Sequence, residues 1–244
     1  MRTRMISVHT ASTLLALGIA IAAPAGMAAA TLTASVGGTP AGGAVYESFD
    51  TLAATGGVTD SGITVSFSGT GARTVDLPNL AGYYAAPYIS NGNGALFDNF
   101  QADGPNATQY LTTGIGQVTL DLGGHHQYFG LLWGSVDNYN TLSFYDGTTL
   151  LFSFSGLDVD SAASGNQGAA GTFYVNIDST IPFDRVVASS TQYGFEFDNV
   201  SLAVNPSNPG GVLPIPEPET YAMLLAGLAM VGAIVRRRTL AISA

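Results

Sequence analysis

Between residues 45 and 204, apolar residues recur in short alternating runs bounded by Gly, Asn, Asp or Ser. Successive side chains of a strand point to opposite faces, so a period of two buries one face; a helix needs a 3.6-residue period held for about ten residues, and no stretch of the body keeps one. The pattern predicts strands near 45–51, 62–68, 109–113, 117–122, 127–134, 140–145, 149–155, 172–177, 183–188 and 194–204. Ten short strands without a helix predict an all-β fold, a jelly-roll-like antiparallel β-sandwich over residues 31–204. The clearest local signal is a hairpin, in which Leu142 and Phe144 alternate with polar residues, Asp146-Gly147 turns, and Leu150, Phe152 and Phe154 alternate back. Its apolar face must pack on a second sheet, which makes Phe144 a core residue. Trp133, the single tryptophan, sits in an apolar run and is expected beside it.

The connections differ among themselves. Residues 78–107 are rich in Tyr, Gly and Asn and read as a long loop region, the part of a rigid sandwich where binding usually resides. Residues 161–171 read as a flexible connection and 205–213 as a linker.

Both ends depart from this pattern. Arg2 and Arg4 precede an apolar run from Leu14 to Ala23 and then Ala28-Ala29-Ala30, the layout of a secretory signal peptide over residues 1–30. Pro214-Ile215-Pro216-Glu217-Pro218-Glu219 is a stiff extended segment, because proline fixes its own φ and biases the residue before it away from helix. Fifteen uncharged residues follow, Tyr221–Val235, and then Arg236, Arg237 and Arg238. As a helix this run covers about 22 Å, enough for a single transmembrane segment only if its flanks reach the interfaces. The arginines would hold the short tail, 239–244, in the cytoplasm and leave the body outside.

Composition narrows the chemistry. Of 244 residues 10% are charged and none is cysteine, which excludes a disulfide framework, a thiolate metal site and a cysteine nucleophile. Within 31–214 two arginines, Arg73 and Arg185, face fifteen acidic residues, a formal −13. Nucleic acid needs a Lys/Arg face and is excluded as a partner; cations and neutral sugars are favoured.

Pro216-Glu217-Pro218, the apolar run and the arginine cluster, in that order, resemble the PEP-CTERM sorting signal of Gram-negative bacteria over residues 214–238. The resemblance implies recognition and cleavage by an integral-membrane exosortase, a transient stay in the inner membrane, and delivery to the cell surface or the medium. Tyr128–Asp137 with Tyr139–Leu142, and Phe195–Val200, also resemble the ectodomains of exosortase-dependent surface proteins. That likeness implies a location and a fold but no catalytic residue.

Catalytic signals are sparse. His125 and His126 are adjacent at a Gly-Gly turn, and neighbours on a strand point apart, so they make a poor two-ligand metal site. No Gly-x-Ser-x-Gly elbow occurs, and Glu47 and Glu196 are the only glutamates in the body. Three candidate binding clusters can be drawn. Glu47 and Asp50 on the first predicted strand, with Glu196, Asp198 and Asn199 on the last, offer the hard oxygen ligands of a structural Ca²⁺ site; solvated strand-edge acids are the alternative. Asp137, Asn138 and Asn140 form a second cluster that Asx turns explain equally well. Tyr83, Tyr84 and Tyr88 offer flat faces on which a pyranose could stack. The expectation is an exported, exosortase-sorted, non-catalytic protein of the cell surface or the exopolysaccharide matrix of a biofilm. A lectin like a carbohydrate-binding module is the alternative, and a glycoside hydrolase comes third.

Overall fold

A computed structural model of the protein describes residues 30–43 and 45–207; the sorting tail and all but the last residue of the expected signal peptide lie outside them. In chain order the strands are β1 Ala30–Ser35, β2 Val45–Glu47, β3 Gly57–Val58, β4 Thr64–Thr70, β5 Arg73–Val75, β6 Tyr88–Ile89, β7 Gly104–Pro105, β8 Tyr110–Thr112, β9 Ile115–Gly134, β10 Asn140–Asp146, β11 Thr149–Ser155, β12 Phe173–Ser190 and β13 Glu196–Ala203. With 51% strand against 6% helix, the fold is all-β.

Two long strands organise it. β9 and β12 pair antiparallel along nearly their whole length, Phe173 opposite Trp133 at one end and Ser190 opposite Gly116 at the other. Register is lost on β12 between Asp178 and Arg185, across from Gly123, which has φ +69°. Such an irregularity bends a pair of strands. The first half of β9 and the second half of β12 carry β4 and β3 on one side and β10 and β11 on the other. The other halves carry β1 on one side and β13 on the other, whose free edge takes β2 and β8.

Apolar faces of the two halves share one core. Phe129, Leu131, Trp133, Val175, Ile177 and Phe197 come from one side, Val118, Leu120, Leu142, Phe144, Val186 and Ala188 from the other, and none is more than 1% exposed. Trp133 stacks on Phe195, ring centroids 4.3 Å apart, and Phe144 meets Phe152 at 4.8 Å and Phe183 at 5.0 Å.

Several sequence expectations are corrected. The runs 117–122 and 127–134 are one strand, as are 172–177 and 183–188; the Gly-Gly step before His125 is a bend within β9, matched by the irregularity in β12, not a turn. The hairpin turn is Gly147-Thr148, because Asp146 still pairs with Thr149. Gly147, at φ +56°, occupies the position where a side chain would be strained. β1 was not foreseen and precedes the strand expected to be first.

Residues 78–107 do not form an open loop. Leu132 and Tyr174 point away from the main core and pack with Ile89 and Phe97 of this segment, closing a second apolar layer. Asparagine side chains take the place of a ladder here: Asn79 accepts from the Ala86 N–H at 2.9 Å, Asn93 from Ser90 at 3.1 Å and Asn106 from Thr108 at 3.1 Å. Residues 161–171 are also fastened, the Gly165 N–H donating to Val136 and the Val136 N–H to Gly171, both at 3.0 Å. At the start of the expected linker, Ser207 donates to Asp178 through its N–H at 2.6 Å and its hydroxyl at 2.7 Å, so 205–207 belong to the body.

Candidate functional site

At one end of the sandwich, where β9 ends at Gly134 and β13 begins at Glu196, a cavity of about 150 Å³ opens. Glu196, Ser135, Asp137, Tyr139, Tyr83, Tyr84 and Tyr193 are among its lining residues. Pairing of Glu196 with Gly134 sets the carboxylate beside Ser135, whose hydroxyl donates to it. Ser135 adopts φ +40°, an uncommon backbone for a residue with a side chain. Gly194 is required by close approach: a Cβ there would run into the Glu196 carboxylate and lie 2.9 Å from the Tyr83 carbonyl.

The electrostatics are those of acids without a cation. Burial pushes the Glu196 carboxyl up to about 7; hydrogen bonds from Ser135 and the Ala85 and Glu196 N–H groups oppose the shift, and the Asp137 charge adds to it. Burial also raises Asp137, partly offset by the Tyr139 hydroxyl. Tyr139 is raised in turn by burial and by Asp137, and donates to the Tyr193 carbonyl at 3.3 Å.

Two tyrosines form the rim. Tyr83, 49% exposed, meets Tyr193 edge to face with centroids 4.8 Å apart. A second cavity of about 180 Å³ shares Tyr83, Tyr84 and Tyr193 with the first and is lined by Arg73 instead of acids. The Arg73 guanidinium lies 5.4 Å above the Tyr84 ring. The aromatic pair thus divides an acidic hollow from a basic one.

The residues singled out in the sequence distribute as follows. Tyr83 and Tyr84 line the cavities, whereas Tyr88 lies in β6 opposite Pro105 and lines neither. The five proposed Ca²⁺ ligands do not form one set: Glu196 faces the tyrosine cavity, while Asp198 senses the charges of Asp50 and Glu47. Asp50 lies beyond the end of β2 rather than in a strand. Asp137, Asn138 and Asn140 do not converge, since Asp137 turns to the cavity, Asn138 is exposed and Asn140 accepts from Ser190 at 2.9 Å. His125 and His126 separate: His125 contacts Asp146 at 3.1 Å, and His126 turns to the Gly124 carbonyl at 3.0 Å. Ser135, Tyr139, Tyr193 and Arg73 were not foreseen as site residues, because no local pattern brings these segments together.

One comparison identifies a segment. Residues 214–238 match the PEP-CTERM protein-sorting motif. The chain therefore carries a PEP-CTERM sorting motif behind an all-β body, and such a motif implies export, exosortase processing and surface sorting. No curated protein and no solved structure matches it.

Proposed function

We propose that the chain is an exported, exosortase-processed, non-catalytic protein of the cell surface or exopolysaccharide matrix, whose jelly-roll-like body binds a glycan at the Tyr83–Tyr193 rim. The observation that carries this reading is an aromatic pair, Tyr83 exposed and Tyr193 half-buried, lining one cavity with the buried carboxylates of Glu196 and Asp137. A sugar ring has an apolar face that packs on an aromatic ring and hydroxyls that donate to anionic acceptors. Surface charge of the body favours a neutral glycan over an acidic one.

Tyr83→Ala is expected to weaken glycan binding at least tenfold, measured by calorimetry on the best ligand from a glycan array, with little change in melting temperature because Tyr83 is half-exposed. A wild-type protein that retains no sugar on the array would end the lectin reading. Hydrolysis is the second reading, favoured by Glu196 and Asp137 in one cavity. Glu196 is only 1% exposed and held by Ser135, a position suited to shaping the floor rather than to meeting a glycosidic oxygen. Release of reducing ends by the wild type, lost in Glu196→Gln, would establish the enzyme instead.

For the sorting step, replacing Pro216, Glu217 and Pro218 by alanine is expected to leave full-length protein in the inner membrane. Intact C-terminal peptides on released wild-type protein, found by mass spectrometry, would contradict processing.

A further inference from the structure

The irregularity in the long ladder does more than bend it. Between the pairs Arg185–Asp121 and Phe183–His126, β9 has four residues, 122–125, where β12 has only Asp184. A surplus of this kind re-aims the side chains of the bulged strand. Its last residue is His125. On the other side of β12, Tyr145 of β10 pairs with Arg185, so the next step along both strands brings Asp146 level with Asp184. Three strands that are distant in sequence thus deliver an imidazole and two carboxylates to one point.

The ligand atoms of His125, Asp146 and Asp184 all lie within 4.8 Å of one another, and His125 Nε2 is 3.1 Å from Asp146 Oδ1. Two ligands at about 2.1 Å from a tetrahedral ion are themselves roughly 3.4 Å apart. Side-chain rotation alone therefore closes the trio on one ion, and His125 and Asp146, 58% and 54% exposed, have room for it. Asp184 is already oriented, since its Oδ1 accepts from the Gly147 N–H at 2.9 Å and its other oxygen is left for an ion.

Charge supplies an observation independent of the spacing. Carboxylates at one level of adjacent strands repel each other. Arg185 is the nearest arginine in sequence, yet it places its guanidinium 4.9 Å from the centroid of the Tyr145 ring and forms an ion pair with neither aspartate. Among the described residues, the contact of Asp146 with His125 is the one ion pair, and it depends on a protonated imidazole. A bound cation would neutralise both acids without that proton.

We propose that His125, Asp146 and Asp184 bind one divalent transition-metal ion of the Zn²⁺ type, with water completing its shell. An imidazole nitrogen with two carboxylate oxygens suits Zn²⁺, whereas Ca²⁺ and Mg²⁺ prefer shells made wholly of oxygen. Three protein ligands leave at least one coordination position open to exchange. His126 is no part of the site: it turns to the Gly124 carbonyl, as adjacent strand residues pointing apart require. None of the three ligands lines the tyrosine cavity, so the site stands whether or not that cavity binds a glycan.

The test uses the exported protein without an affinity tag, stripped with EDTA and titrated with ZnCl₂ by calorimetry, with elemental analysis after dialysis. One Zn²⁺ per chain is expected, and no comparable binding of CaCl₂. His125→Gln and Asp184→Asn should each weaken Zn²⁺ binding at least tenfold. The melting temperature of His125→Gln in EDTA should match the wild type, because the residue is exposed. His126→Gln should bind as the wild type does. Protein loaded with Co²⁺ should show visible absorption bands that His125→Gln lacks. A surface ion pair between His125 and Asp146 makes no use of Asp184, so full affinity in Asp184→Asn would overturn the site. Equal losses in His125→Gln and His126→Gln, uptake that none of the variants alters, or no uptake of Zn²⁺ at all would overturn it as well.

Discussion

Phe144→Ala is expected to cost about 3 to 5 kcal/mol of stability, as large-to-small changes at buried aromatic positions do. Phe144 lies at the centre of the shared core, where it touches Phe129, Phe152, Phe154 and Phe183, so its removal takes contacts from both halves of the sandwich at once. Neighbours held by two layers of paired strands cannot collapse into the space. For a body of this size the melting temperature should drop by roughly 6 to 20 °C. Phe100, 79% exposed, supplies the control: Phe100→Ala should change stability by no more than about 0.5 kcal/mol. Equal effects at the two positions would show that the assignment of the core is wrong.

The second large effect is on pH dependence. Glu196 has a folded value near 7 against an unfolded value of 4.5. Below the unfolded value both states hold the proton and folding is favoured in full. As pH rises towards 7 the unfolded chain releases that proton first, so stability falls across this window and levels off above it. At 1.36 kcal/mol per unit the loss is about 3 kcal/mol. Asp137, Asp50 and Asp198, all raised chiefly by burial, act with the same sign. Thermal unfolding should therefore show a melting temperature that declines from about pH 4.5 to about pH 7, and Glu196→Gln should decline less. A profile that rises over this range, or one that Glu196→Gln leaves unchanged, would refute the burial of an uncompensated acid.

Much of the core was legible because alternation is a local property: Trp133, Phe144 and the hairpin all follow from residues a few positions apart. Strands β3, β6 and β7, two residues each, are too short to carry a period at all. The union of two predicted strands into β9 was hidden because Gly123 and Gly124 read locally as a turn, while the partner that continues the ladder lies far along the chain. The candidate sites were half legible for a related reason. Glu196 and Asp198 do share one face of β13, as a spacing of two requires. That face is divided by what lies over it, Ala85 beside Glu196 and Asn106 beside Asp198, and nothing within β13 records which segment covers which residue. Sorting residues 214–238 are recognisable because their signal is contiguous.

The path of β13 has a consequence for how the protein is displayed. This strand starts at the tyrosine cavity and ends at Ala203, roughly 23 Å away at strand rise, and the chain then leaves past Ser207, which is fastened to Asp178. Ala30, where the described body begins, lies opposite Ser179, the residue after Asp178. Entry and exit therefore share one pole, and the cavity occupies the other. A body held by its C-terminal end would therefore present the aromatic rim at the pole farthest from the point of attachment.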